Sequence, residues 1–174
     1  MRWVGLVRNV MLGRDGLDRA LLLDLGARAG GAQLRSYLTT GNLTFDAAPK
    51  EIDRVCRRLE EAISEVVSRP TMVAVRAHPW LCDLVSNDIF AGVTEDEWEC
   101  EVAFLRHDAP SVDPSAIPET RRTRLVATYE RELASARPRA GSARPHVTRL
   151  LERAAGQPAT ARGWSTLRRI AEDP

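Results

Sequence analysis

The feature that most narrows the fold is a switching apolar period that recurs in a fixed order along residues 1–77. "WVGLVR" (3–8) is an apolar run of strand length. From Leu17 to about Ala29 the apolar residues Leu17, Leu21, Leu25 and Ala29 share one helical face. Asp15 or Gly16 is placed to cap that helix, and Gly30-Gly31 to end it. "AQLRSYL" (32–38) and "LTFDA" (43–47) flank the turn "TTGN" and read as a hairpin. Pro49 opens a second helix, with Ile52, Val55, Cys56, Leu59 and Ile63 on one face and Arg54, Arg58, Glu61 and Glu65 on the other. "TMVAVRA" (71–77) follows Pro70 as a fourth strand. Strand, helix, strand, strand, helix, strand is the split β-α-β order. The expected fold class is α+β. A ferredoxin-like subdomain over 1–77 carries its helices on one sheet face and its first strand in the centre.

Residues 78–174 read as a smaller α+β part. "HPWLCDLVSN" is a short helix begun at Pro79, and "CEVAFLRH" (100–107) a strand. The proline-rich stretch 108–122 reads as a loop. "RLVATYERELASARP" reads as a hairpin bent near Tyr129 and Glu130. "PHVTRLLERAAG" is a helix begun by Pro145, and "TARGWSTLRRIAED" a terminal helix with Ser165 or Thr160 as its cap. No internal sequence repeat is visible.

Net charge is +1, but the spread is uneven: +3 over 1–50, −9 over 51–120 and +7 over 121–174. Lys50 is the one lysine among 25 basic residues, a usage expected of a GC-rich bacterial genome. No apolar run approaches the roughly 18 residues a membrane helix requires. No signal peptide is visible. Cys56, Cys82 and Cys100 are far apart and without metal or redox spacing. The expected setting is the cytoplasm, with no membrane association.

Split β-α-β topology puts the end of the first strand beside the second–third hairpin. The loop "RNVMLG" (8–13) and the turn "TTGN" (39–42) are therefore expected as neighbours. Arg8, Asn9, Thr40 and Asn42 form the candidate ligand site there, beside a helix N-terminus that favours anions. Gly-Asn is also ordinary turn chemistry, so a purely architectural role stays open.

Three stretches together carry a family resemblance. "WVGLVRNVMLG", "SYLTTGNLTF" and "PATARGWSTLRRI" are similar to the signature regions of the bacterial domain of unknown function 1697 family, and "VAVRAHPWLCDLV" (73–85) resembles its middle stretch. Arg8, Gly13, Tyr37, Gly41, Asn42, Phe45, Thr160, Arg162, Trp164 and Thr166 fit the pattern. Asn9, Met11 and Gly163 depart from it. The resemblance runs from end to end and implies a ferredoxin-like first part followed by a smaller α+β part. It also adds Arg162 and Trp164 to the candidate site, as a lid over the Arg8 and Asn42 end. The other reading of Trp164 is a core anchor, with Leu167 and Ile170 on the same helix face.

No phosphate loop, dinucleotide fingerprint, HExxH or nucleophile elbow is present. His78, His107 and His146 lie far apart, and no metal set is expected. Glu95, Asp96, Glu97, Glu99 and Glu101 read as a solvated strand entrance, and in Arg121-Arg122 one arginine as solvated. The function expected is a non-catalytic module, without cofactor, that binds a small anionic ligand. The alternatives are weak nucleic-acid binding, a protein-interaction domain or an enzyme of unknown reaction. Tight nucleic-acid binding is not expected, because stacking aromatics are few.

Overall fold

A computed structural model describes residues 1–94, 96–118, 123–139 and 147–172. Glu95, Arg121, Arg122, Pro145 and His146 lie outside the described residues. The chain forms two compact units, Met1–Cys82 and Asp83–Pro174.

In the first unit β1 (Arg2–Val7), β2 (Ala32–Tyr37), β3 (Asn42–Asp46) and β4 (Val73–Ala77) form one antiparallel sheet in the order β2-β3-β1-β4, with β1 central. Antiparallel partners share a face. Trp3, Val7, Leu43, Phe45, Val73 and Val75 face one side and pack against α1 (Arg19–Ala29) and α2 (Ile52–Val67). From α2 come Ile52, Val55, Cys56, Leu59 and Ile63, the residues whose helical spacing is visible in the sequence. Asp18, rather than Asp15 or Gly16, caps α1: its carboxylate accepts from the Leu21 N–H at 2.8 Å. Gly30 ends α1 at φ 112°, where glycine is favoured. Pro49 starts a single 3-10 turn that leads into α2. α3 (His78–Ser86) follows β4 without a loop.

The second unit also contains a four-stranded antiparallel sheet. It comprises β5 (Trp98–Leu105), β6 (Arg124–Thr128), β7 (Glu132–Pro138) and β8 (Ala159–Gly163), in the order β6-β7-β5-β8. Renumbered from its own first strand, this is the order of the first sheet. Ala103, Leu105, Leu133 and Ala159 pack against Val147, Leu150 and Leu151 of α4 (Val147–Ala155). In place of a helix after β5, a loop with one 3-10 turn brings Ala109, Val112 and Ile117 to the same core. Residues 160–163, expected at the start of the terminal helix, belong instead to β8 (Ala159–Gly163), and α5 (Trp164–Ala171) begins only afterwards. Thr160 is therefore a strand residue, Ser165 lies inside the helix, and Gly163 occupies the cap position with no side-chain hydrogen bond. Alanines carry little strand propensity, and pairing with β5 overrides it.

The registers align the two sheets residue by residue. Val4 lies opposite Arg76, as Val102 lies opposite Arg162. Leu6 lies opposite Asn42, as Phe104 lies opposite Glu132. Counting on along β1 and β5, Arg8 corresponds to Arg106. The repeat is one of topology, with too little identity to show as a sequence repeat.

Candidate functional site

The end of β1 and the hairpin turn lie side by side. The Leu12 N–H donates to Thr39 O at 2.7 Å, and the Val7 N–H to Gly41 O at 2.8 Å. Gly41 has φ 66°, and a Cβ there would stand 2.3 Å from Val10 Cγ2 and 2.9 Å from Val7 Cβ. Only glycine lets the loop pass this close. Asn42 is fully buried, and its Nδ2 donates to Tyr37 O at 3.1 Å and Thr40 Oγ1 at 3.0 Å. Both amide hydrogens thus brace the turn from inside.

Arg8 is half-buried. Its N–H donates to Met72 O at 2.8 Å, and its carbonyl accepts from Thr71 Oγ1 at 2.7 Å. Asn9 is exposed at φ 55°, and its carbonyl accepts from Arg69 Nη2, which also reaches Asp15 Oδ2 at 2.7 Å. Thr40 is exposed. The N-terminus of α1, expected to favour an outside anion, holds the Asp18 carboxylate. Arg19 of α1 donates from Nη2 to Leu38 O at 3.1 Å, tying the helix start to the turn.

Alternation along β1 places Arg2, Val4 and Leu6 on the sheet face turned away from α1 and α2. Asn42, Thr44, Ala74 and Arg76 lie opposite them, and Tyr37 and Arg35 oppose Asn42 and Thr44 from β2. Arg8, two residues beyond Leu6, extends the same face. Four arginines, Arg2, Arg8, Arg35 and Arg76, thus share it. Arg2 is committed to architecture: Nη1 donates to Gln33 O and Nη2 to Thr44 Oγ1, each at 2.7 Å, with Asp46 3.7 Å away. Tyr37 Oη lies 3.2 Å from the same Thr44 hydroxyl. Arg76 is half-buried and donates to Val75 O at 2.7 Å. Arg35 is exposed. The sequence signal for this face is the spacing of two in Arg2, Val4, Leu6 and Arg8, legible only once the register is known.

Arg162 and Trp164 belong to the second unit. Arg162 is 7% exposed on β8, and its Nη1 donates to Thr160 Oγ1 at 2.8 Å and Ala161 O at 2.7 Å. Burial pushes its pKa down to about 10, so the guanidinium stays charged at neutral pH. Trp164 is 2% exposed and meets Phe90 edge-on at 5.0 Å between ring centroids. Leu167 and Ile170 are buried on the same helix face.

Asp96 and Glu97 are exposed, as expected of a solvated strand entrance, but Glu101 is not. Glu101 is only 7% exposed, and Arg137, on the neighbouring strand, lies 2.7 Å from Glu99 and 3.5 Å from Glu101. Alternation along β5 puts Glu101 on the same face as Ala103 and Leu105, the face that packs against α4. Among the described residues no group of three His, Cys, Asp or Glu side chains could hold a metal ion. Among the same residues no helix is long and apolar enough to cross a membrane.

The family pattern of DUF1697, described as a protein of unknown function, matches residues 1–133, including the Arg8 strand and the hairpin. The chain belongs to the DUF1697 family. No curated protein matches it. A solved structure similar to this DUF1697 chain is the conserved bacterial protein SP0830 from Streptococcus pneumoniae. It shares 13% sequence identity at a TM-score of 0.64, covering 98% of this chain and 96% of that one. At that identity the likeness shows the fold alone, and it shows it across nearly the whole chain.

Proposed function

We propose that this DUF1697 protein is a non-catalytic binding module for a small anionic ligand, held by arginines of the first sheet. The observation that carries the reading is the placement of Arg8 on the same sheet face as Arg35 and Arg76, turned away from α1 and α2, with Asn42 and Thr44 locked between them. Arginine offers a planar fork of donors suited to phosphate or carboxylate. The anchored backbone on either side of Arg8 limits the ordering cost of binding. The support comes from the arginine face rather than from the start of α1, where Asp18 already supplies a carboxylate.

A base-reading sheet is less well supported. Such sheets stack bases on exposed aromatics of the central strands. Here Trp3 of β1 and Phe45 of β3 both turn to the helix side and join the core.

The test is a thermal shift of wild type, Arg8→Ala and Arg76→Ala against a panel of nucleotides and inorganic phosphates. A binding role predicts stabilisation of the wild type by at least one anion. Arg8→Ala should weaken it by about 1.5–3 kcal/mol, the value of a charge-assisted hydrogen bond. A flat panel for all three proteins, with a large melting drop in Arg8→Ala alone, would leave Arg8 as architecture.

A further inference from the structure

We propose that Cys82 is a nucleophilic thiol that exchanges with small disulfides, using His78 as its base. All three cysteines are thiols outside any disulfide; Cys56 and Cys100 are buried, and Cys82 is half-exposed. His78 and Cys82 stand four residues apart on α3, so their side chains meet on one helix face. Cys82 Sγ lies 3.5 Å from His78 Nδ1, within hydrogen-bond reach for sulfur. His78 is the first residue of α3 and Cys82 lies one turn further along it. Leu81 and Leu84 are buried, which fixes the rotation of α3 and keeps Cys82 on its half-exposed flank.

A nucleophile within reach of an imidazole is the arrangement that activates a thiol. As Sγ attacks one sulfur of a low-molecular-weight disulfide, its proton passes to Nδ1. The new S–S bond forms as the reagent's own S–S bond breaks. The departing thiolate takes the proton back from the imidazolium. The products are a mixed disulfide on Cys82 and one small thiol, and no other oxidant is consumed. The substrate class is a small disulfide able to approach α3 from solvent.

The test uses the native full chain and an aromatic disulfide whose released thiol is coloured, at about pH 7, where an ordinary thiol is mostly protonated. One fast equivalent per chain is expected, mapped to Cys82 by mass spectrometry and absent in Cys82→Ser. In His78→Phe the fast phase should slow by about tenfold, the gain in thiolate being partly offset by lower nucleophilicity. The slow release from the two buried cysteines should stay unchanged, which separates loss of the base from general loosening. His78→Gln serves as a second variant if the phenylalanine disturbs folding, and it should be equally slow. First labelling at Cys56 or Cys100, or a His78 variant exchanging as fast as wild type, would overturn the proposal.

Discussion

Replacing Gly41 with alanine tests whether the hairpin turn owes its residues to packing. Two costs are separable. The first is conformational: φ of 66° costs a residue with a Cβ about 1 kcal/mol. The second is steric. The new Cβ would lie 2.3 Å from Val10 Cγ2 and 2.9 Å from Val7 Cβ. The Val7 atom is fixed to a central strand and cannot rotate away. Relief requires the loop or the turn to move, which endangers the Leu12–Thr39 or Val7–Gly41 hydrogen bond, each worth about 1 kcal/mol. The expected total is about 2–3 kcal/mol. For a chain of this length that is a fall in melting temperature of roughly 4–12 °C. Gly13→Ala is the matched control: its φ is 87°, but a Cβ there meets nothing within 4 Å. Only the conformational cost applies, about 1 kcal/mol. The assay is thermal and urea unfolding of both variants beside wild type. If Gly41→Ala is no worse than Gly13→Ala, the close passage of the loop is not what selects glycine, and the packing argument fails.

Asn42→Ala should destabilise by about 1–3 kcal/mol in urea unfolding, because it leaves Tyr37 O without the buried donor that Nδ2 supplies. Arg137→Met should cost about 1–3 kcal/mol by removing a cation beside the buried Glu101 carboxylate, and adding Glu101→Gln should recover part of that in a double-mutant cycle. At Asp108, burial raises the carboxyl pKa, but the hydrogen bonds and charge of Arg106 outweigh it and hold the value below 3.8. A depressed carboxylate stabilises the fold above its unfolded pKa and loses that contribution as pH falls through the folded value. Asp108→Asn should therefore cost under about 1 kcal/mol at neutral pH for this exposed pair, and the gap to wild type should close on acidification below 3.8.

The first unit was legible because its apolar periods are strong. α2 places Val55, Leu59 and Ile63 on a clean stripe, and Pro49 and Gly30 bound the helices they flank. The strand β8 was not, because Ala159 and Ala161 carry no strand signal, Thr160 alone supplies too little, and the segment pairs because β5 offers it an edge. At the site, the adjacency of loop and turn follows from topology, whereas the inward aim of the Asn42 amide depends on which face its strand presents. Capping by Asp18 was hidden because Leu17 reads as the first residue of the helical stripe, which points to Asp15 or Gly16; the Arg14–Leu17 bridge keeps Leu17 out of the helix and moves its start to Arg19. Glu101 was misplaced because charge suggests solvent, and its cross-strand partner Arg137 lies 36 positions further along the chain.

The second sheet keeps the strand order of the first with a loop where the first has α1, and this separates two jobs that helices usually do together. Strand order is held by edge-to-edge pairing, while the lid over the apolar face needs only suitably placed side chains such as Ala109, Val112 and Ile117. The β5–β6 connection is accordingly the exchangeable segment of this architecture. Within such a module it is where length and sequence can be rebuilt, by drift or by an engineer, as long as three small apolar contacts survive and the strands on either side still find the same neighbours.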